Sequence, residues 1–218
     1  IKPSLWIVRE MRSRHPELSF DFTAKIEHLI QHRDAVMELA ALGCVFILSA
    51  VESVDDRILR YLDKGHTRDD VVAALEITRA AEVALRPSLL PFTPWTTLSG
   101  YLELLEFVQD HDLVYQLDPV QYSIRLLLPP GSRLLDIPEI QPHVGSLVQE
   151  DFVYTWQHPD PGVDMLQRQV ARVAEEAASS GEDPATTFDR IKKLTLATIF
   201  GQPTVAQPGY RRRSARPP

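Results

Sequence analysis

Apolar positions along this chain follow two patterns, one at helical spacing and one of short continuous runs. Leu5, Val8 and Met11 recur at helical spacing and predict a helix over residues 3–14. Residues 44–51 form an apolar run rich in β-branched side chains, which is typical of a strand buried on both faces. Three further strands are predicted, each after a helical stretch, at residues 18–22, 83–90 and 119–128.

Capping residues mark the helix boundaries. Thr67 followed by Asp70 has the pattern of a capping box and opens a predicted helix that extends to residue 82. Asp183 followed by Pro184 is a cap with a first-turn proline. The other predicted helices cover residues 24–42 with a break near His32, 55–61, 97–110 and 164–179. Strands that alternate with helices predict an α/β chain with a parallel sheet and right-handed crossovers, so that the helices lie outside a curved sheet or barrel.

The pattern changes after residue 135, which is the predicted end of the α/β part. Residues 136–161 are rich in Pro and Gln and show no period, so they are predicted to form an irregular connector. Residues 162–201 carry two helical stripes and are predicted to form a helical extension. Residues 202–218 contain four Arg and no acid, and they are predicted to be a disordered tail.

Composition narrows the class of protein. The chain has 218 residues with 44% hydrophobic and 24% charged residues, as in globular domains, and its net charge of −7 argues against nucleic-acid binding. The longest apolar run is about half the length of a membrane span, and no secretory signal is visible, so the cytoplasm is the expected compartment.

Cys44 is the single cysteine, which excludes a disulfide framework within these residues. The chain opens without Met in the middle of a predicted element, so we expect it to be a fragment.

Polar residues near the predicted strands are the candidates for chemistry, because the carboxyl ends of parallel strands carry the active sites of α/β proteins. Glu52 ends the apolar run and could accept hydrogen bonds from a ribose diol, or it could merely cap the next helix. Lys64 lies in a following loop, either as the partner of a ligand carboxylate or as a surface lysine. Arg86 and Ser88 share one face of their predicted strand, and Arg125 lies in the last one; an Arg inside a barrel needs a partner.

Three segments carry a resemblance to a known family. GCVFILSAVESVDDRILRYLDKGHT, residues 43–67, resembles the fourth strand and following helix of radical S-adenosylmethionine (SAM) enzymes, where Glu-Ser or Gln-Ser ends the strand and Lys-Gly-x-Thr follows. RPSLLPFTPWTT and DPVQYSIRLLLPPGS resemble the fifth and sixth strands of that family. The segments KIEHL, LDKGHT and FTPWTT are similar to the sequences of a subgroup named for a C-terminal Cys-Cys-Ala-Glu-Pro or selenocysteine tail. This chain ends without that tail.

The resemblance implies a fold and a set of SAM contacts. The implied fold is α/β, a partial (β/α)₆ TIM-like barrel of which residues 1–135 hold the distal strands three to six, with a C-terminal helical extension. Within it, Glu52 and Ser49 match positions that contact the ribose and methionine of SAM. Lys64 matches a position that meets the SAM carboxylate, and Ser88 matches a position near the ribose. Leu126 and Leu127 match the backbone near adenine, and Arg86 and Arg125 are candidates for substrate or SAM contacts.

The resemblance also implies chemistry that this chain alone does not complete. Such enzymes bind a [4Fe–4S] cluster through a Cys-x-x-x-Cys-x-x-Cys loop after the first strand, and that motif is absent from these residues. We expect the loop to lie upstream of Ile1, so that the fragment is inactive by itself. In the complete enzyme, an external electron donor would reduce the cluster, and SAM would be cleaved to a 5′-deoxyadenosyl radical that abstracts hydrogen from an unspecified small molecule or peptide.

Two other hypotheses stay open at this point. The chain could be an iron-independent α/β-barrel lyase or hydrolase that uses Glu52, Lys64 and Arg86 as acid–base and anion-binding groups. It could instead be a non-catalytic interaction module whose basic tail docks an acidic partner. No membrane and no nucleic acid is expected as a partner under any of these hypotheses.

Overall fold

The computed structural model describes residues 2–201, which divide into two compact units. The first unit holds the residues up to 52 together with 65–88, and the second holds 53–64 together with the residues from 89 onward. In chain order the α-helices and strands are α1 (Lys2–Arg14), β1 (Phe20–Thr23), α2 (Ile26–Gln31), α3 (Arg33–Ala41), β2 (Cys44–Glu52), α4 (Asp56–Tyr61), α5 (Arg68–Ala80), β3 (Ala84–Leu89), α6 (Leu98–Asp110), β4 (Val144–Val148), β5 (Val153–Trp156), α7 (Pro161–Ser180) and α8 (Pro184–Phe200).

The first unit is built on a three-stranded sheet in the order β1-β2-β3. β1 and β2 run parallel, with Phe22 opposite Ile47 and Thr23 opposite Leu48. β2 is the central strand, which explains why its sequence is the most continuously apolar of the three. The strands predicted at 18–22, 44–51 and 83–90 are confirmed, and each predicted end lies within two residues of the observed end.

A β-bulge divides the faces of β2. Phe20 pairs with Cys44 and Asp21 with Phe46, so Val45 is an extra residue on β2. Cys44 is consequently buried, as is Ile47, whereas Val45 and Phe46 both have partly accessible side chains. From Ile47 onward the odd-numbered residues are buried and the even-numbered ones form the more open face of the sheet.

Helices of the first unit begin and break where the caps predict. The hydroxyl of Thr67 accepts the N–H of Asp70 at 3.3 Å, and the Asp70 carboxylate accepts the N–H of Thr67 at 2.8 Å, which confirms the capping box of α5. The predicted break near His32 is also confirmed, because α2 ends at Gln31 and α3 begins at Arg33. The helix α5 packs against both α2 and α3.

The strand predicted at residues 119–128 is wrong over its first half. The carboxylate of Asp118 accepts the N–H of Val120 at 3.0 Å, and with Pro119 in the first turn this cap favours a short 3₁₀ helix at Pro119–Tyr122. Gln121 then offers its side-chain oxygen, rather than a backbone carbonyl, to the N–H of Leu89 at 2.9 Å.

The second half of that segment keeps one parallel bridge. Phe92 donates its N–H to the carbonyl of Ile124 at 3.1 Å and accepts the N–H of Leu126 at 2.8 Å, so Phe92 and Arg125 form an isolated parallel bridge. The predicted sixth strand is therefore reduced to the residues around Arg125.

The connector predicted to be irregular contains regular structure. β4 and β5 pair as an antiparallel hairpin, with Leu147 opposite Tyr154 and Val148 opposite Val153. The indole of Trp156 is buried and donates to the carbonyl of Leu126 at 2.8 Å. The prediction fails over residues 144–156 because Trp156 and its neighbours pack on a core that is distant in sequence, which local periodicity does not reveal.

Two helices close the described part of the chain, as predicted. Asp160 caps α7, Gly181 ends it in a left-handed conformation, and Asp183 caps α8 ahead of Pro184. α8 packs against α7 and α6. The predicted disordered tail at 202–218 lies outside the described residues. Among the residues that are described, no helix is both long and apolar enough to cross a membrane.

Candidate functional site

Glu52 lies at the carboxyl end of the central strand in an unusual backbone conformation. Its φ is 65°, the left-handed region that residues with a side chain seldom adopt, and its side chain is half-buried. The carboxylate that caps α4 is that of Asp55, which accepts the N–H groups of Arg57 and Ile58 at 2.8 and 3.4 Å. The alternative role considered for Glu52, capping this helix, therefore belongs to Asp55.

Ser49 lies on the buried face of β2. Ser49 is 2% exposed and lies on the same face as the buried Ile47 and Val51. Its hydroxyl has no hydrogen-bond partner among the described residues. A buried hydroxyl without a partner costs about 1–3 kcal/mol, so this position is costly to the fold. The structure does not bring the Ser49 side chain to the open face of the sheet.

Arg86 and Ser88 share the more open face of β3, as their spacing predicts. The guanidinium carbon of Arg86 lies 4.1 Å from the centroid of the Phe46 ring, a cation–π contact that supplies the partner this Arg requires. Phe46 precedes Glu52 by six residues, which is about 20 Å along a strand. Arg86 therefore lies towards the amino ends of the strands, whereas Ser88, half-buried, is one pleat nearer their carboxyl ends.

Lys64 belongs to the second unit. It follows the last turn of α4, its N–H donates to the carbonyl of Leu59 at 3.1 Å, and its side chain is half-buried. Its loop is tight, because Asp63 before it and Gly65 after it both have positive φ.

Arg125 is held by the protein itself. Its guanidinium donates to the Asp164 carboxylate at 2.5 Å and to the Trp156 carbonyl at 2.8 Å, and it stacks 3.5 Å from the centroid of the Trp156 ring. The other carboxylate oxygen of Asp164 accepts the N–H of His158 at 3.1 Å. The structure thus places Arg125 in a partly buried clamp between its own segment, the hairpin and α7, and sequence reasoning missed both partners.

Leu126 and Leu127 differ in their surroundings. Leu126 is buried and both its N–H and its carbonyl are engaged, by Phe92 and Trp156 respectively. Leu127 has a side chain that is 69% exposed. Of the two, Leu127 is the one whose side chain faces out from the second unit.

The single cysteine is poorly suited to ligate metal. Burial raises the pKa of the Cys44 thiol to about 11, and its Sγ donates to the carbonyl of Phe46 at 3.3 Å. Within residues 2–201, no group of three His, Cys, Asp or Glu side chains is placed to hold a metal ion.

Comparison with known proteins gives one kind of match. No protein-family model and no curated protein matches the chain. Among solved structures, the chain resembles the cobalamin-dependent SAM radical enzyme OxsB with aqua-cobalamin bound, at 16% identity and a TM-score of 0.62, over 80% of this chain and 31% of that one. The apo, selenomethionine-labelled form of OxsB matches at 13% identity and a TM-score of 0.65, over 90% of this chain and 36% of that one.

These matches establish the fold. The chain is α/β, with a parallel sheet and helices that match the partial barrel of radical SAM enzymes, and with C-terminal helices after it, as predicted. It spans about a third of the length of the solved structures it resembles.

Proposed function

We propose that this chain is the distal part of a radical SAM enzyme. In the complete enzyme, a [4Fe–4S] cluster held by other residues would supply the electron for cleavage of SAM to a 5′-deoxyadenosyl radical, and this chain would help to hold SAM. The proposal is supported chiefly by one observation: the strand that ends at Glu52 is the central strand of its sheet, in a chain whose fold resembles that of OxsB over 90% of its length.

The residues of the first unit fit a role in holding SAM. Glu52 presents a half-buried carboxylate at the end of β2, and a carboxylate accepts hydrogen bonds from both hydroxyls of a ribose. Ser88 offers a hydroxyl on the open face of β3. Ser49 fits less well, because its side chain lies among buried residues on the other face of β2.

The residues of the second unit have separate roles in the proposal. By the family resemblance alone, we assign Lys64 to the SAM carboxylate and the backbone at Leu127 to adenine. Arg125 is a positioning residue, because Asp164 and Trp156 already occupy its guanidinium. Arg86, stacked on Phe46 towards the amino ends of the strands, has no part in the proposed SAM contacts.

The cluster does not fit this chain. A [4Fe–4S] cluster is held by several thiolates, and the chain has one cysteine, whose thiol is buried with a raised pKa. We therefore assign the cluster ligands to residues outside these 218.

Two glutamates provide a matched test of the proposal. Glu52 and Glu82 both have positive φ, at 65° and 54°, so Glu→Gln at either position perturbs the same backbone conformation. In the product of the full reading frame, reconstituted anaerobically, Glu52→Gln is expected to lower kcat/KM for 5′-deoxyadenosine formation about 10- to 100-fold, the effect of one charged hydrogen-bonding group. Glu82→Gln is expected to change it less than twofold.

Binding gives a second readout that does not need turnover. We expect Glu52→Gln to weaken SAM binding, measured by calorimetry on the same protein, by a similar factor. The proposal is overturned if the complete protein forms no 5′-deoxyadenosine, or if Glu52→Gln and Glu82→Gln behave alike.

A further inference from the structure

A second candidate site lies within the second unit, in a cavity of about 580 Å³ between the end of α4 and residues 132–139. Small-molecule sites occupy about 300–1,000 Å³, so this cavity has the size of one. None of the residues assigned to SAM above lines it.

The floor of the cavity is apolar and well supported. Leu62, Leu134 and Ile137 line it and are half-buried. All three pack against a buried hydrophobic cluster formed by Leu126, Leu128, Ile140 and Trp156. The floor therefore offers an apolar surface that does not collapse when the cavity is empty.

One wall of the cavity is aromatic and braced from behind. The Tyr61 ring lies 4.8 Å from that of Trp95, at an interplanar angle of 47°. The Trp95 indole donates to the carbonyl of Glu139 at 3.2 Å, and Arg57 donates to the carbonyl of Trp95 at 2.9 Å. These contacts fix Tyr61 as a wall against which an apolar side chain can pack.

The rim carries two positive and two negative charges. Arg60, Asp63, Arg133 and Glu139 line the cavity with exposed side chains. None of these four forms an ion pair with another residue in the range 2–201. A ligand that carries both an anionic and a cationic group complements such a rim, whereas a polyanion would meet two carboxylates.

We propose that this cavity binds a free α-amino acid with an apolar or aromatic side chain. The α-carboxylate pairs with Arg60 and Arg133, and the α-ammonium group pairs with Asp63 and Glu139. The side chain rests on the apolar floor beside Tyr61. This site is independent of the proposed radical chemistry, since it uses different residues and needs no cofactor.

Three probes separate the charges of the ligand. L-phenylalanine carries both groups, 3-phenylpropanoate lacks the ammonium group, and phenethylamine lacks the carboxylate. In calorimetric or NMR titrations of the 218-residue chain, we expect saturable binding of L-phenylalanine, with each analogue at least tenfold weaker because it leaves one pair of rim charges unmatched.

Substitutions test separately the two arginines and the carboxylates of the rim. Arg60→Gln and Arg133→Gln are expected to weaken L-phenylalanine at least fivefold each and not to weaken phenethylamine, because the cation of phenethylamine gains nothing from an arginine. Asp63→Asn, which suits the left-handed φ of 51° at this position, is expected to weaken L-phenylalanine and not to weaken 3-phenylpropanoate. Arg172→Gln, an exposed arginine on α7 that does not line the cavity, is the control and is expected to have no effect.

Several results would overturn the inference. They are the absence of any saturable binding, equal affinity for inorganic phosphate or 3-phenylpropanoate, and equal weakening by Arg172→Gln. Displacement of L-phenylalanine by SAM would also overturn it, because the cavity would then belong to the SAM site. Loss of SAM cleavage in the complete enzyme leaves this inference untouched, so the two proposals fail separately.

Discussion

Glu52 combines a candidate functional side chain with a strained backbone. Residues other than Gly, Asn and Asp in the left-handed region cost about 1–2 kcal/mol, and such strain concentrates at functional sites. The sequence placed this carboxylate at the end of the strand correctly, because an apolar run with a single acid at its end is easy to recognise. It did not reveal the positive φ, since neither Glu nor Ser predicts that conformation.

A pair of substitutions isolates this strain. Glu52→Gly and Glu52→Ala both remove the carboxylate, so the difference between them reports the backbone alone. Because glycine adopts φ of 65° freely, we expect Glu52→Gly to be more stable than Glu52→Ala by about 1 kcal/mol in urea unfolding. In an ordinary strand position Ala is the more stable of the two, so the opposite order would show that no strain is stored here.

The Cys44 thiol gives a pH-dependent prediction. Burial raises its pKa to about 11, so the folded protein holds the proton more tightly than the unfolded chain does. This contribution to stability is fully present below the unfolded pKa and declines as the pH rises from there towards 11.

The corresponding experiment is alkylation of Cys44 by iodoacetamide, followed by mass spectrometry. At pH 8 we expect the folded chain to react at least about tenfold more slowly than the chain in urea, because little thiolate is present and the thiol is buried. The rate in the folded chain should rise steeply above pH 10. Equal rates at pH 8 would contradict the burial of this side chain.

At the scale of elements, local signals predicted the helices better than the sheet. Caps such as Thr67 with Asp70 and Asp183 with Pro184 act within three or four residues, so they are visible in the sequence. The prediction of a strand at residues 119–128 was wrong over its first half, because the local cap formed by Asp118 and Pro119 favours a helical turn over an extended strand. The hairpin was missed because the contacts that stabilise it join Trp156 to Leu126, thirty residues away.

The clamp around Arg125 is testable as a link between elements. The side chains of Arg125 and Asp164 are 27% and 16% exposed, so their ion pair is shielded from water over most of its surface. We expect Arg125→Gln to lower the free energy of unfolding by about 2 kcal/mol, since a partly buried carboxylate is left without its partner.

A double-mutant cycle with Asp164→Asn, measured by urea unfolding, separates the pair from its surroundings. We expect a coupling energy of about 1 kcal/mol or more between the two positions. If Arg125→Gln lowers the free energy of unfolding by less than about 0.5 kcal/mol, the result would contradict the clamp. Arg125 would then again be a candidate for a ligand contact.

At the scale of the whole molecule, the fold was predictable and the chemistry only in part. The alternation of strands and helices, together with the Glu-Ser and Lys-Gly-His-Thr segments, predicted the α/β fold that the comparison with OxsB confirms. The cavity beside Tyr61 was not predictable, because its lining comes from residues 60–63 and 132–139, which only the folded chain brings together. The subgroup with the cysteine-rich tail, the cytoplasmic compartment and the electron donor remain predictions.

The central claim is that this chain works with a cluster bound by other residues of a longer enzyme. The measurement that tests it most directly is the coding sequence on the 5′ side of Ile1, read in the same frame. The account predicts a Cys-x-x-x-Cys-x-x-Cys loop directly after a predicted strand. An initiator codon immediately before Ile1, with no such loop, would contradict the account.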